Sequence, residues 1–356
     1  MIGMILAGSI TSALTSFAGL GLALILEADG AQRVRLGWTE EPRMVVTAAG
    51  LDDEMIAAAV HRHAVVCTRN DSWVQADLDG PPWNEDSAVF SPRIKSPYAK
   101  ANNAAPSQDE VIERWRALQE ARHCGIDREG DGSDFREGLE LIGALGEPAY
   151  WRFSDKDPAP DEGASRWEMK TRNRGEEFVG NRLRRLAEFV AARDVDGVRK
   201  GLDGHHLIDE AYKGKRSEES RTPTGLTTPR WTDSALAWCA LWGIASFPVI
   251  HRVEGASVTA AAAPVGKFTP EALVLPALVG PHSLHRWRTL LVSDQLIRAR
   301  SADDLDDLSA RTWLASHGAR AVITFAFHLS DNANAPERSL GVGELDVLGE
   351  ALPAMT

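Results

Sequence analysis

The stretch Ser220 to Arg252 constrains this chain most. From Ala235 to Phe247 it carries no charged residue, so a helix there has no face suited to water. Such a helix must be wrapped on all sides by other elements. Thr232 or Asp233 supplies its N-cap, and Pro248 stops it. Val249 to Val253 then reads as a strand. The polar turn Arg221-Thr222-Pro223-Thr224-Gly225 lies just ahead of the helix. A helix N-terminus with free N–H groups suits an anion such as a phosphate. The plainer reading is a loop feeding a core helix.

A second uncharged run, Ile2 to Leu26, is long enough to span a bilayer. It has no basic residue ahead of it, is diluted by Gly, Ser and Thr, and ends in the soluble-type cap Glu27-Ala28-Asp29-Gly30. It is expected to form a buried helix over 12–29, with the N-terminus retained and no membrane contact. The 356 residues suffice for two domains or one large one. The reading is α+β, with mixed sheet pieces around the helices at 12–29 and 233–247. An N-terminal α+β part covers 1–160, and a C-terminal α+β part over 161–356 carries a basic face and the central buried helix. Three cysteines with no C-x-x-C spacing fit a reduced cytoplasmic compartment.

Between these landmarks, strands are expected at 33–38, 44–47, 257–259, 272–279 and 319–327. Helices are expected at 52–66, from the capping box Ser107–Glu110 onward, at 135–145, 176–193 and 281–300, and from a cap at 301–304 through Trp313. Residues 71–106 read as irregular, with a basic surface loop at 91–100. Residues 125–134 read as a glycine-rich turn, 154–163 as an exposed loop or sub-domain join, and the tail from Ser330 as loose. His61 and His63 point to different helix faces and read as ordinary. His282 and His285, spaced i, i+3, lack a nearby third ligand for a metal.

The net charge of −12 argues against a general nucleic-acid binder. The charge is uneven, however. Arg166 to Arg230 holds 15 Lys and Arg against 11 Asp and Glu, while the remainder holds 24 against 40. Either a solvated helix face or a local phosphate track explains such a basic middle. In the 176–193 helix, Phe178, Val179, Leu183, Leu186, Phe189 and Val190 cover an arc of about 140° at 100° per residue. Arg184 points away from that arc, Asn181 and Arg185 flank it, and Arg182 falls within it. No dinucleotide fingerprint, P-loop, HExxH, GxSxG or HD-type metal pair is present in the sequence. No cofactor, metal or catalytic residue is expected.

The segments Thr171 to Leu183, Ser220 to Leu226 and Thr232 to Ile244, followed by Phe247-Pro248, resemble CRISPR-associated proteins of type I-G (formerly I-U) loci. So do the opening helix and the Val34 to Thr39 strand. Within those loci the resemblance is to the family that takes the large-subunit place in the Cascade surveillance complex. It implies a non-catalytic subunit that contacts crRNA and target DNA, recognises the protospacer-adjacent motif, stabilises the R-loop and helps recruit a helicase–nuclease in trans. Other Cascade subunits are the implied protein partners. The nucleic-acid-binding candidates are Lys170, Arg172, Asn173, Arg174, Asn181, Arg182, Arg184, Arg185, Lys213, Lys215, Arg216, Arg221 and Thr222. The basic residues suit phosphates, and Asn173, Asn181 and Thr222 suit neutral hydrogen bonds. A metal-dependent nuclease with an unrecognised site and a protein-only scaffold are the alternatives.

Overall fold

The computed structural model describes residues 3–78, 88–93, 107–130, 136–154, 157–158, 160–169, 178–211, 223–329 and 338–349. In chain order the main elements begin with β1 (Met4–Ile5), α1 (Ala13–Ala28), β2 (Arg35–Trp38), β3 (Met44–Thr47) and α2 (Asp53–Cys67). Next come α3 (Gln108–Gly130), α4 (Arg136–Leu145), β4 (Phe153–Ser154) and β5 (Asp157–Pro158). A π-helical turn, Phe178–Leu183, leads into α5 (Arg184–Ala191), then α6 (Val195–Asp203) and α7 (Ser234–Gly243). Beyond them lie β6 (Val249–Ile250), β7 (Val258–Thr259), β8 (Ala262–Ala263), β9 (Ala272–Leu278), α8 (Leu284–Leu291), α9 (Asp294–Arg298) and α10 (Leu305–Ser316). The last described elements are β10 (Ala319–Leu329), β11 (Arg338–Leu340) and β12 (Glu344–Val347). The fold is α+β.

The two apolar helices α1 and α7 pack on each other at the centre. Every residue of α7 is buried, and so is α1 from Ala13 to Leu26. Glycines set their close approach. A Cβ on Gly21 would collide with the Cys239 carbonyl oxygen, and one on Gly243 with the Phe17 carbonyl oxygen. Around this pair one apolar cluster runs from Met4 to Leu348, so the parts 1–160 and 161–356 share a core. Trp238 and Trp242 meet the His63 ring of α2 tilted and edge to face, with ring centroids 5.5 and 4.4 Å away. Both His63 ring nitrogens are buried without a hydrogen-bond partner. Burial drives its pKa down to about 3, so the ring is neutral and works as an apolar wedge.

The described strands form four antiparallel sheets, two of them the two-stranded pairs β4–β5 and β6–β7 and the other two larger. Of the latter two, the smaller has the order β1-β3-β2, and the larger β11-β10-β9-β8 with β12 also paired to β10. Pro276 sits within β9 opposite Val322. The strand tolerates it because β8 pairs only with Ala272 and Leu273, which leaves Pro276 on an unpaired edge.

Four expectations are corrected. Residues 125–130 belong to α3, because Gly125 admits the Phe90 ring and does not turn the chain; a Cβ there would lie 2.6 Å from Phe90 Cζ. The 281–300 helix is two helices, broken where the Ser293 side chain caps α9. Within the loop expected at 91–100, Ser91 and Arg93 are buried, while 94–100 lie outside the described residues. After Arg338 the tail is not loose: β11 and β12 both pair with β10.

Candidate nucleic-acid interface

Short sequence patterns bring several distant segments to one place. Ala164 to Met169 is buried throughout, with Arg166 and Glu168 inside along with Trp167 and Met169. Arg166 is stable there because backbone carbonyls accept from its guanidinium. Nε donates to Ala164 O at 3.1 Å, Nη1 to Phe268 O at 2.8 Å and Nη2 to Asp161 O at 2.7 Å. Burial, reinforced by the charges of Arg93 and Arg338, pulls its pKa down to about 9. Phe268 carries the guanidinium groups of Arg166 and Arg338 at 5.1 and 5.8 Å from its ring centroid. Glu168 is fully buried and balances Arg93, with Oε2 2.5 Å from Nε.

Backbone contacts close the collar. The Val179 amide donates to Ser91 Oγ at 3.1 Å, and the Leu340 amide donates to Gly225 O at 2.9 Å. Gly225 has φ +74, and a Cβ on it would collide with Met169 Cβ and lie 3.1 Å from Arg338 O. Only glycine fits this backbone crossing. Arg182 Nη1 comes within 3.5 Å of Thr224 O. Residues 91–93, 166–169, 178–182, 224–225 and 338–340 are thus assembled into one collar. In the sequence they border the stretches 94–106, 170–177, 212–222 and 330–337, of which the first three carry more Lys and Arg than Asp and Glu.

The expected site residues divide accordingly. Lys170, Arg172, Asn173, Arg174, Lys213, Lys215, Arg216, Arg221 and Thr222 lie outside the described residues. Asn181 and Arg182 are half-buried in the π turn, and Arg185 is exposed. Arg184 does not point outward. It is buried, its Nε and Nη2 donate to Val74 O at 3.2 Å, and Nη2 lies 2.6 Å from Asp77 Oδ1. The π turn, with its i→i+5 bonds, breaks the 100° periodicity on which the outward placement of Arg184 rests. Sequence reasoning also missed Arg93, Arg166, Glu168 and Arg338. Alternating charges in Ser165 to Met169 ordinarily mark an outward face, so no local pattern announces the burial of Arg166 and Glu168.

The N-terminus of α7 does not hold an open anion site. The Asp233 carboxylate occupies it: Oδ1 accepts from the Ala235 amide and from Arg193 Nη1, both at 2.8 Å. Oδ2 accepts from the Ile208 amide at 2.9 Å, and Arg193 also pairs with Glu210 at 2.7 Å. The helix dipole is matched by an acid of the chain itself. Among the described residues no group of three or more His, Cys, Asp or Glu is placed to hold a metal. Nor is any helix among them long and apolar enough to cross a membrane. Compared with known proteins, the chain matches no family model, no curated protein and no solved structure.

Proposed function

We propose that this chain is a non-catalytic, cytoplasmic subunit of an RNA-guided type I CRISPR surveillance complex, in the large-subunit place, contacting crRNA and target DNA. In this reading it recognises the protospacer-adjacent motif, stabilises the R-loop and helps recruit the helicase–nuclease. The observation that carries the proposal is the collar. Buried arginines at 93 and 166 tie together the chain segments that border three basic stretches, and such stretches suit phosphates held at a fixed spacing. The resemblance of 171–248 supports the same reading. An acidic chain with a basic middle in its sequence favours a single nucleic-acid path while its acidic parts meet basic protein neighbours.

The test is binding of target DNA and crRNA by the assembled complex at two salt concentrations. Wild type is compared with a charge reversal at Arg172, Arg174 and Arg185. Each lost phosphate contact flattens the slope of log K against log salt by about 0.9 on duplex. Equal affinity and equal slope would make the basic middle of the sequence a solvated surface and sink the proposal. A complex that assembles without nucleic acid and survives nuclease treatment unchanged would favour the protein-only scaffold.

A further inference from the structure

Beside the collar lies a row of three aromatic rings. Tyr150 meets Trp151 edge to face at 5.3 Å between centroids, and Trp151 meets His251 at 5.1 Å. The protein fixes the polar edge of each ring. The Tyr150 hydroxyl donates to Glu147 Oε2 at 2.7 Å, Trp151 Nε1 donates to Arg252 O at 2.8 Å, and His251 Nδ1 lies 3.0 Å from Ser257 Oγ. His251 is exposed, and Tyr150 and Trp151 are half-buried. Burial lowers the His251 pKa, so at neutral pH it offers an uncharged ring. The row is continuous with the collar through two residues. Arg166 holds Asp161 O, while the Ser257 amide donates to Glu162 O at 2.8 Å. Two carboxylates by the row accept hydrogen bonds, Glu147 from Tyr150 at 2.7 Å and Glu162 from Arg152 at 2.8 Å. The exposed Arg252 supplies positive charge at the edge.

We propose that Tyr150, Trp151 and His251 form a stacking platform for unpaired bases of a single-stranded nucleic acid. Every base has an aromatic face, and rings already locked in place lose little entropy on stacking. The assignment rests on the nucleic-acid reading above and deepens it: the collar end takes phosphates, and the row takes bases. Stacking is uncharged, so its signature differs from that of the basic stretches.

The experiment is equilibrium binding of a short single-stranded oligothymidylate to the full chain at two salt concentrations. A melting curve accompanies every variant. Trp151→Ala and His251→Ala are each expected to weaken binding by about 5- to 150-fold with the salt slope unchanged. Trp151→Phe should restore affinity, and Trp151→Leu should not. His251→Ala keeps the test open if Trp151→Ala fails to fold. Wild-type affinity in both alanine variants, or rescue by leucine as good as by phenylalanine, overturns the platform alone. The latter result would mark an apolar protein contact. No binding of the oligonucleotide by wild type overturns both the platform and the nucleic-acid reading.

Discussion

Arg184 and Arg185 are neighbours with opposite fates, and replacing each in turn separates architecture from surface charge. Arg184 supplies two donors to the buried Val74 carbonyl and pairs with Asp77, whose side chain is 46% exposed. Removing a charged donor from a buried carbonyl costs about 1.5–3 kcal/mol. The half-exposed Asp77 adds only about 0–1 kcal/mol, because water screens it. Arg184→Ala is therefore expected to destabilise the chain by about 1.5–4 kcal/mol. Arg185→Ala, at an exposed position, should stay within about 0.5 kcal/mol of wild type. Urea unfolding with an unchanged m-value measures both. An Asp77→Ala cycle isolates the ion pair from the carbonyl bond. Equal stabilities for the two arginine variants would refute the inward placement of Arg184 and, with it, the effect assigned to the π turn.

Two further outcomes follow from the core. Gly21→Ala should cost about 3 kcal/mol or more, because the added methyl meets the Cys239 carbonyl, which only helix separation can relieve; Gly143→Ala, on α4 with nothing within 4 Å, should stabilise by about 0.5–1 kcal/mol. Calorimetry on both variants decides, and a tolerated Gly21→Ala would refute the close crossing. His63 makes stability depend on pH. Its folded pKa of about 3 lies below the unfolded value near 6.5, so the unfolded state takes the proton first. Stability from this group is complete above about pH 6.5 and falls by up to about 1.4 kcal/mol per pH unit as pH drops toward 3. His63→Phe should remove that slope, measured by urea titrations at several pH values, and an identical slope in the variant would refute it.

The uncharged runs Ile2 to Leu26 and Ala235 to Phe247 were legible because absence of charge leaves a helix only one environment. The cap was legible as Thr232 or Asp233, of which the structure uses Asp233, and the strands expected at 33–38, 44–47 and 272–279 came from simple alternation or apolar runs. The collar was not legible. Arg93, Arg122, Arg166 and Arg184 are all buried, each bound to a backbone carbonyl or to an acid distant in sequence. Arg122, for example, reaches Val89 O at 2.7 Å and Gly146 O at 3.0 Å. No local pattern can announce a partner that only the tertiary fold supplies. The tail strands were missed for a related reason. All four residues of β12 are exposed, so its pairing with β10 rests on backbone bonds and not on an apolar pattern.

The glycine crossing of α1 and α7 also governs how the chain is born. Its two sides, Gly21 and Gly243, lie on opposite flanks of most of the sequence. Contacts so distant along the chain close slowly, since loop entropy is lost before burial compensates. At about 5–20 residues per second, α7 leaves the ribosome tens of seconds or at least about ten seconds after α1. During that interval α1 can pack on β2, β3 and α2, but the face that α7 covers stays open. A nascent chain interrupted before Gly243 therefore presents the uncovered α7-facing side of α1, the kind of apolar surface that chaperones capture and that aggregates when they do not.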